Sequence, residues 1–455
     1  MIAPPLRHRS MGKTMPRCLL STFVGMVFLS ATASAQAPIA LAERFDTSEP
    51  YRVELKVRLA GRLALPVEPG KPPQVLPVIG ASTLTYDERP LPRDGEAARV
   101  VRSYREVEFV RTLDGREQKA EVRPAVRRMV VLRSEKGKKA PFSPDGPLTW
   151  SEIDAVRTDI FSPALVAGLL PAKAVRPGDR WPATPAAMSE LTDHETVEEG
   201  GLTVEYLSAV QLNGKSYAKL GISGTVKGAT QDGPSKQTLE GLAYFDIEAN
   251  RLTYLNLKGT HELLSAEGKV TGRIDGTFVM TRGPAGKTDD LSDAVLRTLE
   301  LRPGGENTLL LYDNPDLGVK FLYPRRWRAG LVQGRQLTVD ESGGGGLLLT
   351  IEPPATLPGI DDYFHETKNF LKQQQWAVLA TDAPRRVADK PAKLDRFGFD
   401  ADVKKEKVRL EYAVVSQPEG GVTAAARLPW NEREELGRDL ERILRSVVVT
   451  RRVGK

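Results

Sequence analysis

The 455-residue chain carries 65 Lys and Arg against 59 Asp and Glu, a net +6, with one cysteine, four histidines and few aromatics. Four of the bases and the cysteine lie in the first 35 positions, so beyond them 61 bases face 59 acids at a net +2 and no cysteine is left. That balance excludes a domain-wide basic field of the kind that recruits nucleic acid, and the missing thiols exclude disulfides, thiolate metal sites and a cysteine nucleophile after residue 35.

The N-terminus has the three parts of a secretory signal. Arg7, Arg9, Lys13 and Arg17 make a basic start without an acid, residues 18–31 are a fourteen-residue apolar and small run, and Ala33-Ser34-Ala35 offers a cleavage site. A membrane-spanning helix needs roughly 20 apolar residues, so this run is too short to be an anchor. The expectation is export to the periplasm or beyond, a mature chain starting at Gln36, and no transmembrane segment after cleavage. Cys18 opens the apolar run and lacks the setting of a lipidated cysteine.

From about 48 to 282 the pattern is that of strands. In "YRVELKVRLAGRL", Val53, Leu55, Val57 and Leu59 alternate with Glu54, Lys56 and Arg58, the period of a strand with one buried face. "ARVVRSYREVEFVRTL" and "RRMVVLRS" are similar. After residue 200, "LTVEYLSAVQL" and "KSYAKLGISGTVKG" flank Asn213-Gly214, a strong hairpin signal. The segments "KQTLEGLAYFDIEANRLTYLNLKGTHELLS" and "KVTGRIDGTFVMTR" extend the meander and predict an antiparallel sheet of about eight or more strands. Gly178-Asp179 predicts a turn before Trp181, and Asp246 with Asn250 brackets another. Between the strand groups, Thr149 and Glu152 have capping-box spacing, and Ile153, Val156 and Ile160 form one apolar stripe of a helix that Pro163 stops.

Residues 283–306 open and close with Gly and Pro and predict a linker with a short helix over 291–299. Then come strands ending at Pro324, "RQLTVDE" and "GGLLLTIEPP". A helix in "IDDYFHETKNFLKQQQW" follows, capped by Asp361 or Asp362, then three more strands. The closing helix is capped by Asn431 and Glu434, with Leu436, Leu440, Ile443 and Leu444 on one side. The fold class is α+β. A signal peptide (1–35) precedes a large curved antiparallel sheet domain (36–282) that can close partly into a half-barrel. The linker (283–306) and a smaller sheet domain with flanking helices (307–451) complete the chain.

The smaller domain resembles the PsbP/Mog1/DcrB-like fold. The residues that carry the resemblance are Tyr312, Asn314, Gly318, Phe321, Tyr323, Pro324 and Trp327 at its start and Ile443, Leu444, Ser446 and Val447 at its end. Members of that fold have differing partners, so it implies architecture and no activity. Within "YPRRW", Tyr323 and Trp327 are expected as core anchors, and Arg325 and Arg326 as the wet side of a turn. The larger domain is similar in pattern to uncharacterised secreted β-rich bacterial proteins, in "YDERPL", "FSPDGPLTWSEID" and "LLPAKAVRPGDRW", and in architecture to lipoprotein carriers of the LolA/LolB type.

No phosphate loop, dinucleotide fingerprint or calcium loop is present. "SGGGGLLL" at 342–349 predicts a hairpin turn. His194 in a charged turn, His261 on a strand and His365 on a helix stand without metal-ligand spacing and are read as structural or solvated. No catalytic, cofactor-binding or metal-ligating residue is assigned, and no cofactor is expected. Three readings stay open: an exported non-catalytic binding or assembly protein whose partner is unassigned between another envelope protein and an apolar ligand, a carrier holding an apolar ligand or lipid in its curved sheet, and an unrecognised hydrolase. A cavity lined with Leu, Val and Phe favours the second, and a histidine beside a carboxylate and a serine favours the third.

Overall fold

In a computed structural model of the chain, the described residues are 37–43, 47–65, 74–92, 98–133, 141–157, 166–230, 233–286 and 288–450. The signal segment, Cys18, Ile160 and Pro163 lie outside them. From Pro38 onward the described residues make one compact body.

The alternating segments build one open antiparallel sheet of eleven strands. From one edge the order is Arg116–Ala120, Ala98–Leu113, Gln74–Pro90, Tyr51–Leu65, Val270–Pro284, Arg251–Leu264, Gly233–Asp246, Lys215–Thr230, Thr196–Leu212 and Arg180–Pro182. Arg128–Arg133 pairs with the first half of Ala98–Leu113. Two meanders therefore meet at a seam, where Tyr51–Leu65 pairs with Val270–Pro284 from Tyr51↔Pro284 to Leu63↔Gly272. The turn at Asn213-Gly214 has both residues at positive φ, 50° and 78°, the geometry that matches strand twist in a two-residue hairpin.

One face of the sheet is covered. Helix Trp150–Arg157 begins with the expected capping box: Thr149 Oγ1 accepts from Glu152 N at 3.2 Å, and Glu152 Oε2 accepts from Thr149 N at 2.7 Å. A second helix, Pro185–Thr192, was not anticipated. Thr184 caps it by accepting from Ala187 N at 3.3 Å, Pro185 fits its first turn, and Asp193 ends it in the left-handed region at φ 53°. Ile153, Ala155, Val156, Ala187 and Leu191 pack with Leu55, Leu84, Val204 and Leu220 in the main core. Buried charges in this region are paired, as their desolvation requires. Arg282 donates to Glu43 at 2.7 Å and Arg102 to Glu88 at 2.5 Å, and Tyr51 donates to the same Glu88.

The segment after Pro284 has less helix than the sequence suggests. It contains a 3-10 turn at Asp289–Leu291 and a four-residue helix at Asp293–Leu296. Leu291 and Leu296 are buried against Val101, Val130 and Phe142, and Arg89 donates to Leu291 O at 2.8 Å.

The C-terminal third forms a three-stranded sheet (Leu310–Asn314, Val319–Tyr323, Val448–Val449) and a seven-stranded one. The larger runs Trp327–Gln333, Gln336–Glu341, Gly346–Glu352, Gly420–Pro429, Glu406–Gln417, Lys393–Val403, Ala377–Ala388. The glycine run makes the turn before Gly346, with Gly344 at φ 97°. Helix Ile360–Gln373 has Gly359 at its N-cap, so Asp361 and Asp362 lie in its first turn and not at the cap. Helix Arg433–Arg445 is preceded by a 3-10 turn at Trp430–Glu432, which puts Glu432 at the N-cap; Asn431 lies before it and Glu434 inside the first turn. Leu148 and Leu310 bridge the two parts of the chain, with Leu311 N donating to Leu148 O at 2.8 Å.

Candidate functional site

The inner face of the large sheet carries a row with three glycines that no single segment displays. Successive registers align Arg111, Gly80, Leu59, Gly276, Gly259 and Leu239 across six neighbouring strands. Two residues away on one side run Phe109, Ser82, Val57, Phe278 and Leu257. On the other side run Val78, Gly61, Ile274, His261 and Gln237. The flanking rows are four residues apart along each strand, or about 13 Å at 3.3 Å per residue. Glycine in the middle row removes the side chains between them and leaves a groove.

The two leucines of that row lie over the glycines. A Cβ on Gly276 would stand 2.7 Å from Leu59 Cδ2, and one on Gly259 would stand 2.6 Å from Leu239 Cδ2. A larger residue at either position would displace a leucine. Gly80 differs, because a Cβ there would meet Leu59 at an ordinary 3.7 Å.

The groove holds a cavity of about 350 Å3 lined by all three rows. The two helices stand at its ends: Asp154 of Trp150–Arg157 lines it with Phe109 and Arg111, and Leu191 with Asp193 from the Pro185–Thr192 region lines it with Leu239 and Gln237. Its middle is apolar, with Val57, Leu59, Leu257, Ile274 and Phe278. Arg111 is held by Gln118, to which its Nε and Nη2 donate at 3.1 and 2.7 Å. Gln237 Nε2 donates to Thr192 O and so ties the second helix to the sheet.

The histidines are dispersed. His261 lines the cavity, and His365 is exposed on its helix. His194 corrects the reading of a charged turn, because it is fully buried where the chain passes from Asp193 into the strand at Thr196. Its Nε2 lies 2.9 Å from Ser235 Oγ, and burial lowers its pKa below the ordinary value of 6.5. Ser235 is also fully buried. Among the described residues, no three His, Cys, Asp or Glu side chains converge as metal ligands.

The "YPRRW" stretch lies away from the groove. Trp327 is fully buried, and its Nε1 donates to Asp439 Oδ2 at 3.0 Å. Arg326 donates to the same oxygen at 2.6 Å and to Glu435 at 2.7 Å. Arg325 departs from the expected wet side: its guanidinium donates to Thr308 O at 2.9 Å and to Pro141 O, and burial beside Arg328 pushes its pKa down to about 10.

The groove escaped sequence reading because it exists only through register. Gly80 and Gly276 are far apart in the chain, and each alone reads as an ordinary strand glycine.

No family model matches the chain, and no curated protein matches it. Among solved structures, the cyanobacterial PsbP of Synechocystis is similar over 32% of this chain and 97% of its own, at 13% identity and a TM-score of 0.26. The Ran-binding protein Mog1p of Saccharomyces cerevisiae is similar over 31% and 96%, at 10% identity and a TM-score of 0.24. A lipovitellin structure is similar over 54% of this chain and 26% of its own, at 9% identity and a TM-score of 0.29. The resemblance to PsbP and Mog1 is a partial likeness of fold.

Proposed function

We propose that the large sheet is a non-catalytic binding module that holds an apolar small molecule against its concave face. The observation behind this reading is the cavity over the glycine row. Its volume falls in the roughly 300–1,000 Å3 range of small-molecule sites, which are mostly apolar with a few polar groups. Here Val, Leu, Ile and Phe side chains supply most of the lining, and Arg111, Asp154, Asp193, Gln237 and His261 supply a few polar groups. Titrating the protein with anilinonaphthalene sulfonate should give saturable, blue-shifted emission. Gly80→Leu puts a side chain into the groove where the backbone accepts a Cβ, and it should abolish that signal while leaving the melting temperature within a few degrees. Unchanged binding by this variant would place the dye elsewhere and refute the groove.

The same proposal includes export, supported by the basic, apolar and small-residue segments of residues 1–35. Mass spectrometry of the protein from its native cells should find Gln36 as the N-terminal residue. An intact Met1 in the cytoplasmic fraction would remove this part.

A further inference from the structure

We infer that the occupant of the groove is a single linear acyl chain lying across the strands; this rests on the binding reading above. The cavity touches seven strands in succession, from Ala98–Leu113 to Lys215–Thr230. Seven strands make six gaps of about 4.8 Å, so the path along the sheet is at most about 29 Å. A cavity of about 350 Å3 drawn out along such a path, between flanking rows about 13 Å apart, is elongated, the shape of a linear chain and not of a compact fused ring system. Leu59 and Leu239 narrow it, because both lean over glycines in the floor of the groove.

The charged groups lie toward the ends, Arg111 and Asp154 toward one and Asp193, with Gln237 and His261, toward the other. Ser82, Thr230, Thr260 and Thr277 add hydroxyls to the lining. Between the ends Val57, Phe278, Leu257 and Ile274 offer hydrocarbon on both sides. A chain held by a polar head at either end and shorter than this path keeps its methyl terminus over the apolar middle. A free fatty acid and a lysophospholipid both supply that chemistry.

Displacement of cis-parinaric acid, a linear fluorescent polyene acid, from the full protein tests this directly. Hexadecanoic acid should displace it, whereas cholate, a rigid ring system, should need at least about tenfold more, a difference of 1.4 kcal/mol. Leu59→Ala, which widens the groove, should narrow that ratio. Displacement by palmitoyl-lysophosphatidylcholine as well would support a lysolipid as the source, and displacement by hexadecanoate alone would support the free acid. If cholate competed as well as hexadecanoate with the parent protein, the single-chain inference would fall while apolar binding stood. If neither parinaric acid nor anilinonaphthalene sulfonate bound, both readings would fall together.

Discussion

Trp327 and Asp439 meet across 112 residues of chain, indole N–H to carboxylate, at 3.0 Å. The contact joins the first strand of the seven-stranded sheet to the closing helix, and Arg326 shares the same carboxylate oxygen. Asp439 is thus a nearly buried acid with two donors.

Trp327→Ala should cost about 3–5 kcal/mol, the usual range for emptying a large aromatic site. Trp327→Phe keeps most of the volume and loses one hydrogen bond, so about 1–2 kcal/mol is expected. Denaturant unfolding of the full chain, followed by circular dichroism, distinguishes the two. Equal losses would mean that the indole N–H, and not the ring, holds the site.

Arg325→Ala should not be neutral, although sequence alone suggests a solvated side chain. Its loss leaves Thr308 O and Pro141 O without their donor, at a cost of about 1–3 kcal/mol. Leu310, which bridges to Leu148, lies in the strand just after Thr308, so the loss should appear in both parts of the molecule. A change below about 0.5 kcal/mol would mean that water replaces the guanidinium freely.

His194 should make the protein acid-sensitive. Burial lowers its pKa below 6.5, while the hydrogen bond to the Ser235 carbonyl and then the charges of Asp193 and Glu198 oppose this. The unfolded chain therefore takes up the proton first, and stability falls as pH drops through 6.5 toward the folded-state value. His194→Gln removes this contribution and should flatten the melting temperature between pH 7.5 and 5. A variant with the parent's full pH dependence would assign the effect to other groups.

Residues 307–451 are proposed to fold alone, as the sequence suggests. The fragment would lack the Leu148–Leu310 bridge, the Pro141 acceptor of Arg325 and the stacking of Arg328 on Trp150, whose guanidinium lies 3.8 Å from the ring centroid. It should therefore show native-like circular dichroism with a lower melting temperature than this part has in the full chain. An unfolded fragment by amide exchange would defeat the proposal.

What the sequence makes legible is local. Period-two alternation locates the long strands, Asn213-Gly214 locates a hairpin, and Thr149 with Glu152 locates a helix start, because each depends on neighbours within a few residues. The Pro185–Thr192 helix had a cap and a proline to announce it, but eight residues between strands are too few for a clear apolar period. The solvation of Arg325 and His194 depends on distant segments that cover them. The groove is the extreme case, since its floor is written in six separate strands.

The seam between Tyr51–Leu65 and Val270–Pro284 closes loops of more than two hundred residues, Leu63 pairing with Gly272 and Tyr51 with Pro284. Each meander can zip from its own hairpins, but the seam must find its register over a long contour, which makes it a slow and entropically costly step in folding. Three strands of the groove belong to one meander and four to the other, so the groove does not exist until the seam has closed. A bound chain spanning both would act as a thermodynamic staple, favouring the joined state by mass action. Folding yield and seam opening, read by hydrogen exchange along Val270–Pro284, would then vary with ligand supply.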